Sequence, residues 1–215
     1  MYCGTSGGKI FQFDTRKTNE PTRTMKCSLT QPIHSLHAFK GSNGETELLA
    51  ASFNMVTHWR GFRQFSVQTN AYQLPFDGIC HSMSLDQNAK QMVLSSRAKE
   101  NFLSTHAVVN VPVFANLSTS SEDTPFSFSN IVSGCSYRNM TSLARTAIWT
   151  QEGCPSNSYI ASGDTISKGL NIWQCGREIP LTHIPYDNEP ILDVKHRSDY
   201  LATVSSSLLR LYCLN

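Results

Sequence analysis

Short runs of apolar and β-branched residues, separated by polar turns, recur along the whole chain. The clearest runs lie near residue 160 and at the two ends: 1–5, 9–14, 159–163, 169–174, 190–194, 200–205 and 208–213. Each run has the length of one β-strand, and turn residues such as the Gly7-Gly8 pair lie between neighbouring runs. The 3.6-residue period of an amphipathic helix is missing over any long window. The pattern therefore predicts an all-β chain.

Small-residue strands recur at a nearly constant spacing, which predicts a repeated sheet unit. They centre on Cys3, Ala50, Val93, Ala161 and Ala202, and three of the four gaps are about 40 to 47 residues, as in WD-type blades. The strands that we predict, sheet by sheet, are 1–5, 9–14 and 22–29; 32–39, 48–53, 55–60 and 64–69; 78–85, 91–96, 104–111 and 126–132; 141–150, 159–163, 169–174 and 178–183; 190–194, 200–205 and 208–213.

A sheet unit that cannot bury its own faces predicts a radial array of packed sheets. We expect a WD-repeat β-propeller over residues 1–215, incomplete, with about four to five blades of a larger ring. With strands labelled a to d from the axis outward, the first blade lacks strand a and the last lacks strand d. Exposed sheet edges favour aggregation, so we expect the isolated chain to be poorly soluble.

Composition and charge argue against several classes of function. The net charge of +2 comes from 18 basic and 16 acidic residues that are scattered along the chain, so we expect no direct contact with nucleic acid. No apolar run approaches the length of a membrane span, and we expect no membrane partner. The seven cysteines contain no C-x-x-C pair, so we expect no metal site, no RING domain and no cofactor.

Candidate catalytic residues do not combine into a site. His34 and His37 would point to opposite faces of a strand, and so would the neighbours Cys80 and His81. No third group orients a nucleophile and base, and no known catalytic motif is present. We therefore predict no catalytic residue in this chain.

Binding residues are predicted in the loops that share one face of a propeller, the b–c and d–a loops. The candidates for contact with a partner are Phe76 and Asp77 from a d–a loop and Arg97, Lys99, Asp164 and Lys168 from b–c loops. Mixed charge with an occasional aromatic side chain is typical of a protein-binding rim.

Four further residues are predicted to have a structural role. Phe13, Trp59 and Trp173 are expected to pack between neighbouring blades. Ile191 is expected on the innermost strand of the last blade, where a charged residue would not be tolerated.

Several longer segments carry a family resemblance. They are CGTSGGKIFQFDTRKT, YQLPFDGICHSMSL, and the series TAIWTQ, YIASGD, LNIW, EPILDV and SDYLATVSSSLLRLY. In order and spacing, the chain resembles the C-terminal WD-repeat region of the RING finger and WD repeat domain-containing ubiquitin ligases. Phe13-Asp14 and Trp173-Gln174 stand where a WD repeat has Trp-Asp, and no Gly-His dipeptide is present.

The resemblance implies a role in ubiquitination. Members of that family carry a RING and a coiled coil upstream of the propeller, and act in the nucleus in DNA-damage signalling and interstrand crosslink repair. They ubiquitinate the single-strand-binding replication protein A, and their propeller recognises targets. By resemblance we expect substrate recognition, replication protein A as a partner, and the nucleus as location, with the cytoplasm as a second one.

Two other interpretations of the sequence stay open. One is a generic WD-repeat scaffold without ligase activity. The other is an enzyme built on a propeller, against which the lack of a clustered acid, base or nucleophile argues.

Overall fold

The chain folds as a series of antiparallel sheets, seen in a computed structural model. The structure describes residues 1–27, 30–41, 44–60, 68–73, 78–86, 88, 91–97, 103–111, 127–136, 144–151, 157–164, 168–177, 179–186 and 189–214, with backbone only for 68–73, 103–104 and 127–136. These residues contain 18 strands in five sheets. None of them forms a helix that could cross a bilayer.

Strand order within every sheet follows the chain, so each sheet is an antiparallel meander. The first sheet contains β1 (Tyr2–Gly4), β2 (Lys9–Gln12) and β3 (Arg23–Lys26). The second contains β4 (Ser35–Lys40), β5 (Thr46–Ala51), β6 (Met55–Arg60) and β7 (Gln68–Gln73). The third contains β8 (Ile79–Asp86), β9 (Gln91–Arg97), β10 (Leu103–Asn110) and β11 (Ser127–Ser136). The fourth contains β12 (Ala147–Thr150), β13 (Ser158–Asp164), β14 (Gly169–Gln174) and β15 (Thr182–Pro185). The fifth contains β16 (Asp193–Arg197), β17 (Tyr200–Val204) and β18 (Leu209–Cys213).

Every predicted strand overlaps an observed one, and the all-β prediction is confirmed. In the described part of the chain, four strands begin at least three residues later than predicted: β4, β12, β15 and β16. Pro180 and Pro190 lie near two of the predicted starts, and proline has no N–H to donate to a strand ladder. β7 extends to Gln73, four residues past its predicted end, because Met55 pairs with Gln73 across β6 and β7. Residues 137–143 lie outside the described residues, as does most of the predicted strand at 64–69.

The chain forms two compact units. The first unit holds β1–β7, and the second holds β8–β18. In the first unit, Trp59 of β6 packs against Ile10 and Met25 of the first sheet and against Leu48 and Ala50 of β5. Its side chain is only 1% exposed. Since burial of an aromatic side chain contributes several kcal/mol, this cluster stabilises the contact between the first two sheets.

Among the described residues of the second unit, two apolar clusters lie one on each side of the fourth sheet. On one side Trp173 packs with Ile148 and Ile160 and with Val93 and Val108 of the third sheet. On the other side the fourth sheet meets the fifth, in a cluster of Ala147, Trp149, Ala161, Leu170, Ile172, Tyr186, Ile191, Val194 and Leu201. The strands β12, β13 and β14 of the fourth sheet are thus buried on both faces, whereas β15 is mostly exposed.

Ile191 is buried as expected but not as part of a strand. It lies two residues before β16, so its predicted place on the innermost strand is wrong. Its side chain is 4% exposed, and its Cβ faces Gly163 so closely that a Cβ built on that glycine would lie 2.6 Å away. The glycine lets the chain before β16 rest directly on β13.

Candidate protein-binding surface

The loops of interest lie at one end of the second unit. At this end, called the loop end here, β8, β12 and β16 begin, and β9, β13 and β17 end. The pairs Ile79–Arg97 and Asp193–Val204 are the last ladder rungs of the third and fifth sheets at this end. Because these strands pack on the core, they fix the backbone positions of the residues at this end.

The described part of the chain includes three of the six predicted partner-binding residues. Arg97 was predicted to lie in a b–c loop, but it is the last residue of β9, where it pairs with Ile79, and it is half-buried. Lys168 is exposed in the turn between β13 and β14. Phe76, Asp77 and Lys99 lie outside the described residues.

Asp164 does not lie where the sequence placed it. The strand pairing continues to the rung Asp164–Gly169, so this aspartate ends β13 and is only 6% exposed. Its assignment to an exposed b–c loop is therefore wrong. It is not an exposed contact residue.

The sequence reasoning did not predict Arg145, which lies at the same end. It is exposed and stands just before β12, and its backbone N–H donates to the carbonyl of Leu192 at 2.9 Å. No pattern in the sequence marks it, because it lies in a segment that the sequence suggested was strand. Its backbone bond connects the start of the fourth sheet to the segment that enters the fifth.

Glu189 and the serine turn at 205–207 form the densest polar cluster at the loop end. Glu189 Oε2 accepts hydrogen bonds from the Ser205 hydroxyl at 2.7 Å and the Ser206 hydroxyl at 3.0 Å. It also accepts one from the Ser207 N–H at 3.2 Å, and Ser207 Oγ lies 2.9 Å from Oε1. These bonds from Ser205, Ser207 and Ser206 lower the pKa of Glu189. The carboxylate is therefore held as an anion whose charge is satisfied within the chain.

A buried polar network holds the third and fourth sheets together below the loop end. Thr146 Oγ1 lies 3.2 Å from Ser82 Oγ and 2.9 Å from Ser95 Oγ, and Ser95 Oγ lies 2.8 Å from His106 Nδ1. The Thr146 N–H also donates to Ser82 Oγ at 3.1 Å. Burial, and to a smaller extent His81, lower the pKa of His106 to about 3, so the ring is neutral at neutral pH.

The network does not have the features of a catalytic site. Ser95 is fully buried and His106 is 1% exposed, so no substrate can reach the pair. Burial raises the pKa of Cys80 to about 12, which leaves its thiol protonated and unreactive beside His81. Among the described residues no three His, Cys, Asp or Glu side chains are placed to hold a metal ion.

Side chains predicted to be structural are buried to different degrees. Trp59 and Trp173 are each 1% exposed and lie in clusters that join two sheets. Phe13 is only half-buried and makes an edge-to-face contact with Phe11, with ring centroids 6.3 Å apart. It lies outside the core cluster of the first unit.

An open cleft in the first unit was not apparent in the sequence. It lies between β1 and β4, has a volume of about 320 Å³ and is lined by Tyr2, Gly4, Ile33, His34, Ser35, Leu36 and Ala38. The lining contains no carboxylate, lysine or arginine. The cleft therefore offers no permanently charged side chain to a ligand.

Comparison with protein families decides the identity of the fold. The family model described as the WD40 domain of E3 ubiquitin-protein ligase RFWD3 matches residues 1–213. The chain belongs to this family. The RFWD3-type WD40 domain is a protein-binding part of its ligase family, and the predicted resemblance is confirmed.

Solved structures show the same fold for this RFWD3-type domain. A chain in a crystal structure titled Mitotic Checkpoint Complex superposes with a TM-score of 0.64 at 13% identity. The match covers 99% of this chain and 58% of that chain. The fold is thus an all-β WD-repeat β-propeller, and three-stranded first and last sheets are consistent with an incomplete ring. No curated protein matches the sequence.

Proposed function

We propose that this chain is the substrate-recognition part of a RING-type ubiquitin ligase that acts in the DNA damage response and in interstrand crosslink repair. The observation that carries the proposal is the family match over residues 1–213. Replication protein A is the proposed partner, and the nucleus the proposed location. The ubiquitin transfer itself belongs to the RING of such ligases.

The chemistry of the described residues supports binding rather than catalysis. Ser95, His106 and Cys80 are among the buried groups with nucleophilic or basic character, and all three are enclosed in the third sheet. By contrast, the loop end of the second unit presents charged side chains beside well-packed strands, of which Arg145 and Lys168 are exposed and Arg97 is half-buried. Such an arrangement is typical of a recognition surface.

A pull-down with purified replication protein A tests the proposed partner. The 215-residue chain is immobilised, its cooperative melt is checked first, and bound protein is measured across a series of salt concentrations. An unrelated WD-repeat domain serves as the control bait. We expect retention by this chain above the control. A folded chain that retains no replication protein A at any salt would refute the proposed partner and would favour a generic scaffold.

Imaging of the tagged chain tests the proposed location. We expect nuclear fluorescence that collects into foci after treatment with a DNA crosslinking agent. A signal that stays outside the nucleus before and after treatment would contradict the proposal.

A further inference from the structure

Three cations at the loop end of the second unit have no acidic partner. Arg97, Arg145 and Lys168 form no ion pair with any residue that the structure describes. Unpaired cations on a surface remain available to an external anion. Their position relative to one another decides whether they can act together.

The buried polar network places Arg97 near Arg145. Ser95 and Thr146 are joined through their hydroxyl groups at 2.9 Å, Arg97 is two residues beyond Ser95, and Arg145 is one residue before Thr146. The chain runs toward the loop end from Ser95 to Arg97, and it also approaches the loop end from Thr146 back to Arg145. With a rise of about 3.3 Å per residue and about 10 Å between packed sheets, the two backbones lie on the order of 10 Å apart.

The strand register places Lys168 on the other side of Arg145. Ala147 pairs with Ala161, so continuing that register brings Arg145 to the level of Gly163. Lys168 ends the short turn that follows Asp164, and its carbonyl accepts the Tyr186 N–H at 2.8 Å. The three cations thus form a row across the ends of the third and fourth sheets.

The acidic residues described at this end, Asp164, Glu189 and Asp193, form no ion pair with the row. Asp164 is 6% exposed. The carboxylate of Glu189 is occupied by the hydroxyl groups of Ser205, Ser206 and Ser207. The serine turn therefore satisfies the Glu189 carboxylate without using any of the three cations.

Lys168 has a backbone conformation that disfavours a side chain. Its φ is +52°, in the left-handed region that glycine adopts without steric cost. A lysine at this turn is less favourable for folding than a glycine would be. Folding alone therefore does not explain a lysine at position 168, whereas a binding role of its ammonium group would explain it.

We propose that Arg97, Arg145 and Lys168 bind an acidic segment of a protein partner, with carboxylates spaced about 10 Å apart, which is about one three-residue turn of a polyproline II chain, in which every third side chain points the same way. The inference rests on the proposed function and deepens it, because it names the chemistry of the recognised segment. A nucleic acid fits less well, since no exposed aromatic side chain is described at this end for base stacking. Tyr186 there is 5% exposed, with the Arg210 guanidinium 4.2 Å above its ring.

Fluorescence anisotropy with a defined peptide tests the inference on the intact 215-residue chain. The probe is a fluorescein-labelled peptide of about twelve residues with glutamate at every third position, and the control peptide carries glutamine there. Arg97→Gln and Arg145→Gln are each expected to weaken binding about three- to five-fold, the size typical of an exposed charge pair. Raising the salt concentration should weaken it further.

Lys168→Gly separates binding from stability. It removes the ammonium group and also relieves the left-handed backbone, so binding should weaken about three- to five-fold while the melting temperature does not fall. Arg197→Gln is the matched control, because Arg197 is an exposed cation at the opposite end of β16. It should change the affinity by less than about two-fold.

Four outcomes would overturn the inference. The first is equal binding of the glutamine peptide, and the second is full binding by the triple variant, which carries Arg97→Gln, Arg145→Gln and Lys168→Gly together. The third is a loss of affinity in Arg197→Gln as large as in the other single variants. The fourth is stronger binding of a single-stranded oligonucleotide than of the acidic peptide. The pull-down distinguishes this inference from the proposed function. If the triple variant still retains replication protein A, only the binding role of the cationic row is refuted. If the native chain binds the acidic peptide but retains no replication protein A, only the proposed partner is refuted.

Discussion

Acidification should destabilise the second unit through His106. The ring is fully enclosed in the third sheet, next to the fully buried Ser95 and against Trp173, with ring centroids 5.4 Å apart. Burial first, and His81 second, lower its pKa from 6.5 to about 3. A lowered pKa on a histidine means that the folded chain holds the ring neutral while the unfolded chain takes up a proton.

The sign and size of the effect follow from proton linkage. Below pH 6.5 the unfolded state binds one proton more than the folded state, so stability falls as the pH falls, and the loss ends near the folded-state pKa of about 3. At about 1.4 kcal/mol per pH unit, acidification to pH 4 should lower the free energy of unfolding by roughly 3 kcal/mol.

Urea denaturation between pH 7 and pH 4, followed by tryptophan fluorescence, measures this loss. Other titrating groups also contribute to the pH profile, so the decisive quantity is the difference between the native chain and a His106→Gln variant. Glutamine lacks the titrating group, and the variant should lose the His106 part of the slope while being less stable at pH 7. Parallel slopes for the two chains would refute the buried neutral histidine.

Three further predictions concern packing and the edge of the fifth sheet. Ile191→Lys should lower the free energy of unfolding by several kcal/mol, since it buries a charge in an apolar cluster, whereas Ile191→Val should cost about 1 kcal/mol; an unchanged melt for the lysine variant would contradict the burial of this side chain. Gly163→Ala should cost about 1–3 kcal/mol, because the new Cβ would lie 2.6 Å from the Cβ of Ile191; a melt equal to that of the native chain would show that the segment can shift freely. The isolated chain should aggregate, and Leu211→Lys should increase the monomer fraction in size-exclusion chromatography, because Leu209 and Leu211 are 66% and 67% exposed on β18. A native chain that runs as a monomer would rule this last prediction out.

The strands could be predicted from the sequence because they depend on local patterns. Alternation of apolar and polar residues and the turn residues between runs identified all five sheets. The displaced starts of β15 and β16 show the limit of this reasoning. A strand begins where a partner accepts its hydrogen bonds, and the partner is not encoded locally.

The candidate surface depended much more on tertiary contacts. Arg97 and Lys168 could be predicted as candidate contact residues because the sequence pattern indicates where one strand ends and the next begins. Arg145 could not, since its exposure follows from the late start of β12, and Asp164 was misjudged because the ladder between β13 and β14 extends to it.

By itself, the sequence determined the all-β class, the repeated sheet unit, the family resemblance and the lack of a recognisable catalytic motif. Only the tertiary structure decided which charges remain exposed and unpaired. Glu189 is satisfied by three serines 16 to 18 residues away, and Ser95 meets Thr146 across 51 residues. Burial and ion pairing arise from contacts between residues far apart in the chain, and a local pattern of residue types does not contain that information.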